Sequence, residues 1–416
     1  MKKLSVALSL VLLSSVCAKS QQINPVIQWN QVLLQLLRTP GVQPATIHPT
    51  RNMALLHTAI YEAVNSIDGS HEPYSASIPV LVAGASADAA ADAAAFGVLN
   101  ALYPAKSSLI ETAYQNLLAS IPEGAAKTEG IRVGTAAASE LLALRANDHS
   151  SDPAPTLTLG TGAGQYRLTP PNFPKPVFTG WSHVDLFALL AANQFRPGPP
   201  PALTSQEYTD AFNEVKSNGL PRSTVATTDQ QLTGWFWNGA IQNYWNEIAQ
   251  YAAFVSHLDT AQNARLFALL NMSLADTVIA FYDAKYTYVF WRPVTAIQNA
   301  DIDGNPDTLA NPTWLPETKT TAADPSYPGA HAAISNAAAT VLSSFFGSDS
   351  FAFKVDSEVF AGVVRSFSSF SAAAQEATDS RVFAGQHFRF DLTAGQQLGT
   401  NVAQFVVGSK LQPVTK

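Results

Sequence analysis

One cysteine, three methionines and a low density of charge mark what this 416-residue chain lacks. With Cys17 alone, an intramolecular disulfide scaffold is excluded. Charged residues make up only 13% against 47% hydrophobic, which excludes disorder as the general state, because such a chain buries enough apolar surface to fold. Positive charge is also scarce: 24 Lys and Arg face 31 Asp and Glu, a formal net charge of −7. That sign removes the field that holds phosphate backbones, so no nucleic acid is expected as a partner. After the first 18 residues no uninterrupted apolar run is long enough for a membrane span, and the mature protein is expected to be soluble. Alternating strand patterns are few. The length suits two domains of roughly 150 residues or one larger one.

The N-terminus has the make-up of a secretory signal. Lys2 and Lys3 precede an apolar run from Leu4 to Val16, and Val16 and Ala18 are small residues placed for cleavage after Ala18. The run is shorter than the ~20 residues of a spanning helix. Cys17 as a lipid-modified residue is disfavoured by Val16, where such sites want a smaller side chain. Cleavage would remove Cys17, Lys2 and Lys3, leaving a thiol-free chain at −7 − 2 = −9. The expected location is secreted or periplasmic.

Most of the remainder reads as helix. Met53, Leu56, Ile60 and Val64 recur at three- and four-residue steps within 52–66. Residues 84–101 are Ala-rich, and 107–120 and 125–147 continue the helical pattern. A Pro- and Gly-dense segment, 151–203, interrupts it. Its Gly160, Gly162 and Gly164 lack the spacing and context of a nucleotide-binding loop. A helix resumes with Thr204 and Glu207 as a capping box and Gly219 as its stop. Further helices are expected over 228–256, 259–290, 331–346, 355–370, 372–386 and 391–407. The class is all-α with a helix-bundle core. The layout is a signal at 1–18, an N-terminal helical region at 19–250, and an oxyanion-binding catalytic domain at 251–416.

Three clusters in the last third carry chemistry. The first runs from Lys285 through an aromatic stretch to Arg292 and Pro293, the second is Tyr327-Pro328-Gly329-Ala330-His331, and the third runs from Ser380-Arg381 to His387 and Asp391. Lys285 and Arg292, seven apart, would return to one helix face, and Pro293 would end that helix. Charges among Tyr286, Tyr288, Phe290 and Trp291 need partners, because burial penalises an unpaired charge. His331 falls near a helix N-terminus, where free amides attract anions. His387 and Asp391, at i and i+4, can share a helix face, and an Asp holding one ring nitrogen frees the other as ligand or nucleophile. Lys285, Arg292 and Arg381 together could neutralise a tetrahedral oxyanion, with one His on its central atom and the other moving protons.

These clusters resemble the KxxxxxxRP, PSGH and SRxxxxxHxxxD signature of the vanadium-dependent haloperoxidases and the type 2 phosphatidic-acid-phosphatase superfamily. Lys285, Arg292, Pro293, Ser380, Arg381, His387 and Asp391 match in identity and spacing. RNMALLHTAIYEAVNSIDG near Arg51 and NQFRPGPPPALTSQEY near Asn193 resemble the secreted haloperoxidase-like branch, so the likeness covers most of the chain. It implies the family's helix-bundle architecture, vanadate as cofactor (phosphate can occupy the same site), and peroxide-dependent oxidation of halide. Lys285, Arg292, Arg381, Gly329 and Ala330 would contact the oxyanion. His387 would be the axial metal ligand with Asp391 behind it, and His331 the acid–base group. The implied partners are hydrogen peroxide, halide and small organic acceptors.

Two positions depart from the signature. Gly329 stands for the family Ser and Ala330 for the family Gly. A third position bears on the halide. Asp324, seven residues before His331, occupies a place where some chloride-oxidising members carry an aromatic residue; an unpaired carboxylate there would repel halide, so bromide or iodide is expected. The alternative is a secreted acid phosphatase, with His387 as nucleophile and His331 protonating the leaving alkoxide. A helical binding protein with a decayed site is the non-catalytic alternative. His48, His57, His71, His149, His183 and His257 show no ligand spacing and read as structural. Asp276 and Asp283 are candidates to buffer the arginines, Tyr282 to pack near the site, and Asn271-Met272-Ser273 is a formal glycosylation sequon.

Overall fold

The computed structural model describes residues 24–75 and 82–414, so the signal segment lies outside the described residues. The elements run α1 (Pro25–Arg38), α2 (Pro49–Asp68), α3 (Ala87–Leu102), α4 (Ser107–Leu118), α5 (Ala125–Leu144), α6 (Gln206–Asn218), α7 (Thr228–Phe236), α8 (Ile241–Val255), α9 (Thr260–Tyr288), α10 (Pro293–Gln298), α11 (Ala330–Phe346), a hairpin of β1 (Ser350–Asp356) and β2 (Val364–Ser369), α12 (Phe370–Phe383) and α13 (Arg389–Ser409). The all-α reading holds, with the hairpin as its one exception among the described residues.

α9 is the axis. Asp259 and Gln262 cap its start reciprocally. Buried side chains lie on every side of its middle, from Leu266 to Phe281, so it packs against neighbours all round. By length and composition α9 could cross a membrane, but 94% of that apolar window is buried inside this protein. One core cluster joins α1, α2, α3, α8, α9, α11 and α13. Residue 250, the expected domain boundary, lies inside α8, and both halves of the chain contribute to that core.

α11 and α13 cross closely enough to set the site. A Cβ on Gly399 would lie 1.9 Å from the Ala333 carbonyl oxygen, and one on Gly395 would lie 2.3 Å from that of Gly329. Only glycine lets the backbones approach so near. The crossing holds the start of α11, with His331, against the start of α13, with Asp391: the Gly329 amide donates to the Asp391 carbonyl at 2.8 Å.

Several helical expectations change. α1 was not anticipated. The stretch 228–256 breaks at Trp237–Ala240, where a Cβ on Gly239 would sit 2.9 Å from both Glu358 Cβ and Tyr244 Oη. Residues 355–370 are mostly hairpin, because Phe353 and Val355 alternate inward along β1 and pair with Phe367 and Arg365 of β2; Gly362 between the strands takes φ +79°. The cap of α6 is Ser205 rather than Thr204. Pro293 starts α10 instead of ending a helix: α9 ends at Tyr288, where Val289 turns left-handed at φ 47°.

The Pro/Gly-rich segment braces that exit. Gly164 carbonyl accepts from the Trp291 amide at 2.9 Å, and the Tyr166 amide donates to Val289 carbonyl at 2.8 Å. Farther along, the amides of Phe187, Ala188 and Leu189 all donate to the buried Asp276 carboxylate at 2.7–2.8 Å. Asp276 therefore clamps the segment to α9 and senses Arg145 rather than Arg292 or Arg381, while Asp283 pairs with Arg196 at 2.6 Å. Asn271 is fully buried and bonded to Asn246, so its sequon is closed in the folded protein.

Candidate oxyanion site

Lys285 and Arg292 reach the site from different elements, not from one helix face. Lys285 sits in the last turn of α9, and Arg292 is the residue that caps α10. Both are buried, and the segment 324–326 wraps them. Lys285 Nζ donates to the Pro325 carbonyl and, at 3.2 Å, to that of Ser326. Arg292 Nε donates to the Asp324 carbonyl at 2.8 Å, and its Nη2 to the Asp324 carboxylate. The second carboxylate oxygen lies 3.4 Å from Lys285 Nζ. Burial pushes the Asp324 carboxyl up, but Lys285 and Arg292 outweigh it and the net shift is downward. Asp324 is thus paired, which answers the expected repulsion of halide. Burial pushes Lys285 down from the usual ammonium range.

Arg381 comes from the last turn of α12 and has no acidic partner among the described residues. Its Nη1 donates to Asn238 Oδ1 at 3.2 Å, and its buried Nε has no partner. Burial, with Arg292 nearby, lowers it to about 9, so it stays charged at neutral pH.

His387 precedes α13, and its contact with Asp391 forms at a helix start rather than along a helix face. Its Nδ1 lies 3.1 Å from Asp391 Oδ2, and its Nε2 lies 3.0 Å from Arg292 Nη1. The same Oδ2 accepts from Ser326 Oγ at 2.5 Å and from the Phe388 amide at 3.0 Å. Burial, then Arg292, Lys285 and Arg381, hold His387 well below its ordinary value. Burial raises Asp391.

His331 is the second residue of α11, and its Nε2 lies 3.0 Å from the Trp237 carbonyl. Burial first, then the Arg381 field, holds it well below the usual imidazole value. Gly329 caps α11, and a Cβ there would meet Leu392 Cδ2 at 2.9 Å. Its amide is engaged by Asp391, whereas Ala330 opens the first turn, where amides have no carbonyl partner within their helix.

The three clusters therefore converge, and the structure adds Ser326, Gln386 and the Trp237–Gly239 break. Gln386 carbonyl accepts from Arg292 Nη1 at 3.0 Å. An Asn-Gly pair inside a long helical stretch was the available signal for that break. Ser326 had no signal beyond closeness to the second cluster. Beside the site stands an aromatic wall: Tyr282 stacks on Tyr286 at 6.1 Å and meets Phe178 at 5.4 Å and His48 at 6.2 Å. No group of three or more His, Cys, Asp or Glu suited to hold a metal ion by itself occurs among the described residues. What converges is an anion cradle: three buried cations, of which Lys285 and Arg292 share the Asp324 carboxylate, with two neutral histidines beside them.

Residues 265–415 match the family model described as the VCPO second helical-bundle domain. A vanadium chloroperoxidase of Curvularia inaequalis is 26% identical over 268 residues, 48% of this chain. That match spans 43% of the relative's own length. The first bacterial vanadium-dependent iodoperoxidase superposes with a TM-score of 0.79 at 24% identity, over 94% of this chain and 96% of the other. A holo-type bacterial vanadium-dependent chloroperoxidase gives 0.69 at 13% identity, over 91% and 96%. The matched domain and the shared fold make this chain a relative of the vanadium haloperoxidases, with residues 265–415 as its VCPO second helical-bundle domain.

Proposed function

We propose that this protein is a secreted vanadate-dependent haloperoxidase that uses hydrogen peroxide to oxidise bromide or iodide to hypohalous acid. The observation that carries the reading is Arg381: a buried guanidinium whose Nε has no hydrogen-bond partner among the described residues and whose Nη1 donates to the neutral Asn238. A buried charge of this kind calls for an anion. Lys285 and Arg292 stand with it, and His387 turns a nitrogen toward the same cations, so the residues fit vanadate.

When bound, vanadate supplies a Lewis-acidic centre that activates peroxide toward halide. The chain supplies the rest. Lys285, Arg292 and Arg381 would hold and neutralise the oxyanion. His387 presents Nε2 as the ligand atom, while its Nδ1–H donates to Asp391 and fixes the ring. Ser326 Oγ–H holds Asp391 in turn. His331 donates Nε2–H to the Trp237 carbonyl, which leaves Nδ1 as the proton acceptor. Burial of Lys285, Arg292, Arg381 and Asp391 keeps bulk water from screening their charges.

The phosphatase alternative needs a protonated His331 for the leaving alkoxide. Burial and the Arg381 field favour its neutral form, the form that accepts a proton. Bromide and iodide give up electrons more readily than chloride, which favours them as the halides oxidised.

Two assays on one preparation test the proposal. Loaded with orthovanadate, the protein should brominate or iodinate a dye in a peroxide-dependent manner; the vanadate-free protein should hydrolyse phosphomonoesters poorly. Strong hydrolysis without halogenation would reverse the assignment. N-terminal sequencing of exported protein should begin at Lys19; retention of residues 1–18 in an unexported protein would remove the secretory claim.

A further inference from the structure

We infer that Asp324 is a built-in competitor for the oxyanion: its carboxylate occupies the donors of Lys285 and Arg292 and leaves them when the oxyanion binds. The inference rests on the oxyanion-site reading above and adds what sets the affinity of that site.

The donors can be accounted for one by one. Lys285 Nζ has three protons and three acceptors: the carbonyls of Pro325 and Ser326 and Asp324 Oδ2. Arg292 uses Nε on the Asp324 carbonyl, both Nη1 protons on the Gln386 carbonyl and His387 Nε2, and one Nη2 proton on Asp324 Oδ1, which leaves the second Nη2 proton for a ligand. Carbonyls can be displaced only by moving backbone, and His387 is held from behind by Asp391. The Asp324 carboxylate is the acceptor on a rotatable side chain that touches both cations. An oxyanion that draws on Lys285 and Arg292 together therefore competes with that carboxylate for both cations.

Charge leads to the same conclusion. Without a ligand, Lys285 and Arg292 would be two buried cations side by side, a costly arrangement. Asp324 neutralises one charge and lets the empty site fold. An oxyanion carrying two or three negative charges neutralises more and wins the exchange. The other titratable groups that sense Asp324 are His48 and the phenols of Tyr166, Tyr282 and Tyr286. Burial lowers His48 to about 3 and raises each phenol, so all four are neutral near pH 7 and supply no rival cation.

The test compares the parent with Asp324→Asn and Asp324→Glu, titrating orthovanadate and inorganic phosphate separately by calorimetry. Asp324→Asn should bind both ions at least about tenfold more tightly, ~1.4 kcal/mol. Its empty form should melt below the parent, and phosphate should restore more of its Tm than it adds to the parent's. Asp324→Glu, which keeps the charge, should bind no more tightly than the parent. Equal or weaker binding by Asp324→Asn, or tighter binding by Asp324→Glu, overturns the role of Asp324 and leaves the oxyanion site standing. Binding of neither ion by any of the proteins removes the site, and both readings with it. Should Asp324→Asn fail to fold, a crystal structure of the parent with orthovanadate decides: a carboxylate still on Arg292 Nη2 beside the bound ion refutes the exchange.

Discussion

His387 Nε2 lies 3.0 Å from Arg292 Nη1, and this contact determines which nitrogen of the imidazole carries the proton. A guanidinium nitrogen only donates, so Nε2 must accept and Nδ1 must bear the hydrogen. Asp391 Oδ2, 3.1 Å from Nδ1, is the acceptor that this requires. Two neighbours on opposite sides of the ring thus impose one tautomer, with the lone pair aimed into the cation cluster. Replacing His387 with Ala should reduce orthovanadate binding below detection in equilibrium dialysis. Asp391→Asn should weaken it by about 10–100-fold, because the ring loses its fixed orientation but keeps its nitrogen. Parental affinity in His387→Ala would sink the ligand assignment.

His331 stands apart from that tautomer and should separate turnover from binding. With His331→Ala, orthovanadate affinity should stay within about threefold of the parent while halogenation falls by about 10²–10⁴-fold, the span of general acid–base catalysis. The Km for peroxide and kcat, measured on protein saturated with vanadate, make the distinction. Unchanged kcat would remove the ring from proton transfer.

How much of this could be read from the chain differs by level. Lys285, Arg292, Arg381, His387 and Asp391 were legible because their spacing is unusual and their residue types are costly to bury. Their supporting geometry was not. Seven residues separate Lys285 and Arg292, which suits one helix face, yet Val289 turns left-handed and divides them between two helices. That turn is held by Gly164 and Tyr166, more than a hundred residues earlier, and no local pattern encodes such a brace. Residues 355–370 read as helix, but pairing across the strands, Phe353 with Phe367 among them, makes most of them a hairpin. Asp324 was legible as a carboxylate near the site but not as a paired one, because its partners are 32 and 39 residues away.

The α11–α13 crossing makes a stability prediction with an internal control. Gly399→Ala puts a Cβ 1.9 Å from the Ala333 carbonyl, a backbone atom that cannot step aside. We expect a loss of at least ~3 kcal/mol in urea unfolding, at the upper end of overpacking costs. Gly408, in the same helix, has nothing within 4 Å of its Cβ position. Gly408→Ala should stabilise by up to ~1 kcal/mol through helix propensity. Equal effects at the two sites would mean that the crossing is looser than described.

Asp92 gives the pH dependence a sign. Its Oδ1 accepts from Trp29 Nε1 at 2.8 Å, and the residue is buried beside the main core. Burial raises its pKa to about 7, the Trp29 bond opposing and Asp88 adding to the rise. The unfolded chain releases this proton near its ordinary value of 3.8, while the folded protein keeps it to about 7. Between those values the native state binds more protons than the unfolded one, so stability from this group falls as pH rises from about 4 to 7. Asp92→Asn retains an oxygen for Trp29 and cannot ionise. Its stability relative to the parent should therefore grow across that window, by on the order of 2–4 kcal/mol from pH 4 to pH 8 at about 1.36 kcal/mol per pKa unit. Parallel curves of unfolding free energy for the two proteins over that range would show that Asp92 titrates alike in both states.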